Sequence, residues 1–314
     1  MIYITGATGH IGNNLIRKFH QEMVDYRILA RKISNSIEPF KDKVILGDVF
    51  SYDFLNQNLK ENDTLIHLAA YINLKNDKED LTAKINFEGV KMIADFCLEK
   101  SIYLIYTSST DCITNSEYNL AEPDEIYLES LEGYYQKSKA RATNYLLKLS
   151  KEQNLKCMII YPSAVIGIND FKPSAVGKEI KRCFKRKVCF YFHGGYNFVD
   201  VENVALAIYN GMSYNITGSY ILSGEYISLY KMYKLIFTNL NRKVLMIKIP
   251  VYLVKLMTKL LPKYKIMINA LLTEHNFSNK KMVNILKVDP TPIPITLKNT
   301  IEWFKQPVTM SRDK

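Results

Sequence analysis

A chain of 314 residues with 47% hydrophobic and 23% charged side chains suits one large α/β domain or two closely packed ones, and excludes disordered and low-complexity readings. Forty-two Lys and Arg against 31 Asp and Glu leave a formal net charge of +11. That charge permits anionic partners without naming one, and an apparent bias toward AT-rich codons discounts it further.

In chain order, strands are expected at Ile2–Thr5, Tyr26–Ala30, Lys43–Leu46, Thr64–Leu68, Tyr103–Thr107 and Lys156–Tyr161, with amphipathic helices at Ile11–Glu22, Ala83–Lys100 and Gly133–Gln153. Alternation of this kind implies right-handed βαβ units, hence a doubly wound parallel sheet of the Rossmann type. The strands read as continuous apolar runs, as befits a sheet covered on both faces. After Tyr161 the alternation loosens and prolines become frequent, which suits a smaller second lobe. The expected division is a dinucleotide-binding unit over 1–167, rejoined by 194–223, and a substrate lobe from 168–193 and 224–314.

Between the first strand and first helix lies Thr5-Gly6-Ala7-Thr8-Gly9-His10-Ile11-Gly12. Gly6 allows a sharp turn, Gly9 lets backbone approach a pyrophosphate, and Gly12 lets helix pack closely on strand. The free N–H groups of the helix start then face the phosphates. A carboxylate at the end of the second strand would select NAD through the ribose 2′-hydroxyl. The chain instead has Arg31 and Lys32 there, which favours NADP over NAD, because a guanidinium matches a 2′-phosphate.

Tyr135 and Lys139 stand four apart, on one helix face, and Ser109 ends the fifth strand at the carboxyl edge of the sheet. An ammonium near a phenol stabilises the phenolate, and a strand-end serine can hold a substrate oxygen over a nicotinamide.

These motifs resemble an extended short-chain dehydrogenase/reductase of the NAD-dependent epimerase/dehydratase superfamily, and within it the dihydroflavonol-4-reductase-like branch. The resemblance spans nearly the whole chain. Gly6, Thr8, Gly9, His10, Ile11 and Gly12 match the cofactor turn, and Gly47-Asp48-Val49 matches the turn whose Asp contacts adenine. Ile66-His67-Leu68-Ala69-Ala70 is similar to the strand under the cofactor, Asn86–Gly89 to an N-x-x-G helix segment, and Pro162-Ser163 through Gly167 and Phe198–Ala205 to later landmarks. The resemblance implies hydride transfer at a ketone, aldehyde or secondary alcohol. Tyr135 would move the proton, Lys139 would bind the nicotinamide ribose and tune Tyr135, and Ser109 would orient the carbonyl. Nucleotide-sugar members carry an R-x-F-N-x-Y-G-like stretch and an arginine before the segment here reading Asn197–Asp200. Both are missing, which favours a small substrate without a nucleotide diphosphate. Thr143 replaces a common glutamate, and Tyr161 a common arginine.

Two other readings compete: a nucleotide-sugar epimerase or dehydratase, and a non-catalytic cofactor-sensing protein, the last disfavoured by the intact Ser109–Tyr135–Lys139 set. The basic run Lys178–Lys187 is expected to be a solvated face rather than a nucleic-acid or acidic-lipid site. Val251–Leu272 reads as a basic amphipathic helical stretch covering the substrate pocket, with a peripheral membrane role for an apolar substrate as the minor alternative; broken by Lys255, Lys259, Pro262, Lys263 and Lys265, it is no membrane span. His67 is expected to be a satisfied core histidine. His20, His193 and His275 share no ligand spacing and the five cysteines form no C-x-x-C pair, so no metal is expected and the thiols read as reduced and buried. With strand-forming residues from the start and no leader pattern, a cytoplasmic location is expected. A homodimer is left open.

Overall fold

The computed structural model describes residues 1–73, 76–113, 119–261, 264–273 and 276–306. Pro262, Lys263 and His275 fall outside them. Strand and helix alternate from the start: β1 (Ile2–Thr5), α1 (His10–Gln21), β2 (Tyr26–Ala30), β3 (Val44–Leu46), α2 (Tyr52–Asn58), β4 (Thr64–His67), α3 (Glu79–Ala83), α4 (Gly89–Glu99) and β5 (Tyr103–Thr107). Next come β6 (Asn119–Leu120), α5 (Tyr134–Glu152), β7 (Cys157–Pro162), β8 (Ala164–Ile166), α6 (Ala175–Cys183), β9 (Val188–Tyr191) and β10 (Gly195–Asp200). The chain continues through α7 (Val201–Ser213), β11 (Gly218–Leu222), β12 (Tyr226–Ser228), α8 (Leu229–Asn239), β13 (Leu245–Lys248), α9 (Val251–Leu260) and α10 (Lys265–Leu272). It closes with β14 (Asn276–Phe277), α11 (Lys280–Asn284) and α12 (Ile293–Lys305).

Seven strands pair in parallel in the order β11-β7-β5-β4-β1-β2-β3. This is the doubly wound Rossmann sheet. The order reverses between β1 and β4, so a crevice opens at their carboxyl ends. Alternate side chains feed two cores. Tyr3, Leu65 and Leu104 pack on one face with Ile93 and Leu146, while their neighbours Ile4, Ile66 and Ile105 pack on the other with Leu15 and Phe19. Every residue of β5 and of β7 is buried, the physical reason those strands read as unbroken apolar runs.

A third core gathers residues from Ile166 to Ile301, among them Ile180, Phe198, Ile236 and Leu297, around a three-stranded sheet in the order β12-β10-β8. Asp200 ties this part to the helices: its Oδ1 accepts from Glu202 N at 2.8 Å, capping α7, and its Oδ2 accepts from Thr296 Oγ1 at 2.6 Å.

At three places the structure adds detail to the sequence reading. The helix expected over Ala83–Lys100 begins at Glu79, where Glu79 and Asp80 favour a helix start, and passes through a π-turn at Lys84–Glu88 before α4. The single stretch Val251–Leu272 is two helices, because Leu261 precedes a proline and leaves the helical region (φ −128, ψ 70). The basic run ends its helix at Cys183, and Glu179 partly neutralises it by accepting from Arg182 at 3.3 Å and Arg186 at 2.7 Å. All five cysteines are free and buried. Among the described residues no helix is long and apolar enough to cross a membrane, and no cluster of His, Cys, Asp or Glu is arranged for a metal ion.

Candidate active site

The glycine turn lies at the β1–β4 crevice. Gly6 has φ +73, and a Cβ there would meet Ala69 N at 2.6 Å, so only glycine fits between the two strand ends. A Cβ on Gly12 would lie 2.3 Å from Gly6 O, the close helix–strand approach expected of it. Gly9 differs: a Cβ would meet nothing nearer than Gly6 O at 3.2 Å. The protein itself leaves the space above Gly9 open, and Thr8 and Gly9 are exposed at its mouth. Ile11 lies half-buried in the first turn of α1. Thr5 Oγ1 accepts from Leu68 N at 3.2 Å and Ala69 N at 3.3 Å, pinning the segment that continues to exposed Ala70. On the far wall, buried Ser163 has a hydroxyl with no hydrogen-bond partner among the described residues, although its N–H donates to Leu222 O. An open glycine cradle, a helix start and an orphaned hydroxyl fit a dinucleotide.

His10 is bound elsewhere. Its Nε2 lies 2.9 Å from Ile168 O, which also accepts from Asn14 Nδ2 at 3.0 Å, so the histidine latches the turn after β8 onto α1. Burial lowers its pKa.

At the end of β2, Arg31 and Lys32 are exposed and make no hydrogen bond or ion pair among the described residues. Gly47 N donates to Ala30 O at 3.0 Å, bringing the Asp48 turn beside them. Asp48 Oδ1 accepts from Phe50 N at 3.1 Å, while Val49 is buried in the core below.

Ser109 and Tyr135 are brought together although 26 residues separate them, close enough for the serine hydroxyl to act on the Tyr135 pKa. Ser109 caps the short 3₁₀ turn Thr110–Cys112 that follows β5, and Tyr135 opens α5. Gln136 Oε1 reaches back to accept from Gly133 N at 3.0 Å, fixing that helix start. Lys139, one turn on, is 2% exposed; its Nζ donates to Thr107 O at 2.7 Å and lies 4.7 Å from the centre of the Tyr106 ring. Burial lowers the Lys139 pKa to about 8. Burial raises the Tyr135 pKa, and the neighbouring charge of Asp111 adds to that rise. In the ligand-free protein the phenol is thus held protonated, and it is Ser109 that pulls its pKa back down.

Sequence reasoning missed Asp111 and Tyr196. Tyr196 Oη donates to Asp111 Oδ1 at 2.5 Å, and Asp111 also hydrogen-bonds Ser109. An acid two residues beyond the candidate serine was the available signal. Asn86 holds the crevice loop through Tyr71, accepting from its N–H at 2.8 Å and donating to its carbonyl at 2.9 Å. It also reaches Ser138 on α5 at 3.2 Å. Thr143 backs the strand end through Ser108 at 2.7 Å, and Tyr161 is fully buried in β7. His67 is only half satisfied: Nδ1 bonds Thr5 Oγ1 at 2.9 Å, Nε2 has no partner among the described residues, and burial lowers its pKa to about 3. Two surface concavities, of about 340 and 480 Å³, lie along the outer sides of α4 and α5 and share no residue with the Ser109–Tyr135–Lys139 group.

A profile of the 3-beta hydroxysteroid dehydrogenase/isomerase family matches residues 3–245. A putative dihydroflavonol 4-reductase of Synechocystis sp. is 31% identical over 238 residues, 72% of this chain and 68% of that protein. Sterol demethylase protein B of Methylococcus capsulatus is 24% identical over 233 residues, 71% of this chain and 69% of that protein. Among solved structures, gox2253 superposes with a TM-score of 0.86 at 26% identity, covering 99% of both chains. UDP-glucose 4-epimerase from Thermotoga maritima shares the fold, with a TM-score of 0.77 at 16% identity over 97% of this chain and 98% of that one. The glycine cradle at the sheet crossover and the match over residues 3–245 agree: the chain belongs to the 3-beta hydroxysteroid dehydrogenase/isomerase family of extended short-chain dehydrogenases/reductases, and is an NAD(P)-dependent oxidoreductase.

Proposed function

We propose that the protein is an NADP-dependent reductase of a ketone or aldehyde, or in reverse a dehydrogenase of a secondary alcohol, acting on a small substrate without a nucleotide diphosphate. The observation that carries this reading is the meeting of Ser109 and Tyr135 at the carboxyl edge of the sheet, with Lys139 buried one helical turn away and its Nζ donating to Thr107 O at 2.7 Å. Residues 1–167 with 194–223 serve as the cofactor-binding unit in this reading, and the rest as the substrate lobe.

The nicotinamide, when bound, supplies or accepts the hydride. Gly6, Gly9 and Gly12 with the start of α1 hold the pyrophosphate, and Arg31 and Lys32, exposed and unpaired among the described residues, hold the 2′-phosphate. Asp48 and Val49 flank the adenine, Leu68, Ala69 and Ala70 lie beneath the cofactor, and Pro162 and Ser163 form its far wall. Lys139 binds the nicotinamide ribose, its ammonium already aimed by Thr107 O and the Tyr106 ring. Ser109 donates to the substrate oxygen and orients it. Tyr135, kept protonated by burial, gives its proton to that oxygen as negative charge develops, and takes it back in oxidation.

The test is a screen of ketones and aldehydes with NADPH and with NADH, following loss of the reduced cofactor. Consumption of NADPH in preference to NADH supports the reading. Cofactor retained through purification, with sugar-nucleotide turnover and no net change in free NADPH, would assign the protein to epimerase chemistry instead.

A further inference from the structure

The strand pair β9–β13 and the two helices after it leave apolar side chains facing outward. In β9–β13 the register pairs Leu245 with Val188 and Ile247 with Phe190, and all four are exposed. After Pro250 the chain enters α9, whose one buried residue is Val254. At about 100° per residue, Tyr252, Leu253, Leu256, Met257 and Leu260 fall within an arc of about 140° on the side away from Val254. Tyr252 is 70% exposed, Leu256 53% and Leu260 75%. A surface helix ordinarily turns such an arc inward.

The charge of the same stretch is one-sided. Residues 242–273 contain seven Lys and Arg and no Asp or Glu. Lys255 and Lys259 lie together along one edge of the apolar arc and make no ion pair among the described residues. An arc of large apolar side chains with lysines along one edge is the pattern of a helix lying in a lipid–water interface, its apolar side chains in the acyl boundary and its cations at the headgroups.

This surface also reaches the site. Ile266 of α10 lies against Gly133, the residue before Tyr134 and Tyr135, and Lys265 pairs with Glu132 at 3.1 Å. The helices therefore roof the entrance to the helix that carries the proposed proton donor.

We infer that the face formed by β9–β13, α9 and α10 docks on an anionic lipid surface and presents the mouth of the site to it. The occupant is a bilayer rather than a second copy of this chain, because two such faces would set Lys255 and Lys259 against the same lysines, and the acid at this face, Glu132, is already paired with Lys265. That an apolar substrate enters from the bilayer rests on the proposed oxidoreductase reading; the docking itself does not, and its test needs no turnover.

Full-length protein is sedimented with vesicles of equal parts phosphatidylglycerol and phosphatidylcholine, and with vesicles of phosphatidylcholine alone. Binding is expected to the first, to weaken with added salt, and to be much poorer to the second. Leu256→Glu with Leu260→Glu should cut binding by at least roughly tenfold, and Lys255→Glu with Lys259→Glu should abolish the preference for the anionic vesicles. Unchanged thermal melting and NADPH affinity in both variants show that the fold is intact. Wild type left in the supernatant with anionic vesicles overturns the inference, as does a leucine variant that pellets like wild type. So does a wild-type dimer, seen by ultracentrifugation without vesicle binding and lost in the leucine variant, which would give the face to a second copy.

Discussion

The Tyr196 hydroxyl donates to Asp111 Oδ1 at 2.5 Å, joining β10 of the smaller sheet to the turn that carries Ser109. Burial raises the Asp111 pKa, and the hydrogen bonds with Tyr196 and Ser109 pull it back. The Asp111 charge in turn raises Tyr135, second only to burial. Asp111→Asn removes the charge with little change of shape, so the Tyr135 phenol should ionise at lower pH. In the pH profile of kcat/KM for reduction, the alkaline limb marks loss of that proton and should move to lower pH than in wild type. A limb that does not move would remove Asp111 from the site's electrostatics.

Tyr135→Phe keeps the ring and deletes the proposed proton donor. A fall in kcat of about 10²–10⁴-fold is expected, with NADPH binding retained. Ser109→Ala should act mainly on kcat/KM, through poorer orientation of the carbonyl. Tyr134 is the internal control, because its phenol interacts with Glu79 on α3, away from Ser109. Steady-state kinetics in which Tyr134→Phe is inactive and Tyr135→Phe is not would invert the assignment.

Lys139 gives a pH dependence of stability. Its folded pKa of about 8 lies below the ordinary lysine value of about 10.4. Between these values the unfolded chain holds a proton that the folded chain does not, so the lysine opposes folding increasingly as pH falls from about 10.4 through about 8. Relative to Lys139→Met, the ligand-free protein should gain on the order of 3 kcal/mol on moving from below pH 8 to above about pH 10.4. Denaturant midpoints measured across that window check it; parallel curves for the two proteins would contradict it.

Arg31→Asp should weaken NADPH binding roughly tenfold to hundredfold and leave NADH affinity nearly unchanged, since only NADPH carries the 2′-phosphate. Fluorescence titration of both cofactors decides it. A wild type that prefers NADH would reverse the assignment.

Gly9→Ala and Gly12→Ala should separate ligand space from packing. At Gly12 the new methyl meets Gly6 O at 2.3 Å, so the turn must shift and melting should fall by several degrees. At Gly9 the methyl needs only a small adjustment against Gly6 O at 3.2 Å, so melting should hold while NADPH binding drops by roughly tenfold or more. Equal cofactor affinity in Gly9→Ala and wild type would move the pyrophosphate away from this turn.

What the linear chain determined by itself is local. The run Ile2–Thr5, the glycines at 6, 9 and 12 and the helix after them form one continuous βα unit, and its period and turn residues are written in adjacent positions. The spacing of Tyr135 and Lys139 follows from helix geometry alone. Apolar runs marked six strands of the seven-stranded sheet to within a residue or so of their observed ends, because both faces of the sheet are covered, while the edge strand β11 was not expected.

What only the tertiary structure decided depends on which distant segments meet. Asp111 and Tyr196 are 85 residues apart in sequence, and no period links a strand-end turn to a strand of the smaller sheet. His10 sits in the phosphate turn, yet its ring is committed to a carbonyl 158 residues away. The leucines of α9 show the same limit. Their spacing announces an amphipathic helix, but whether its apolar arc faces a core or the outside depends on what else packs there, and here the fold buries Val254 and leaves the arc uncovered.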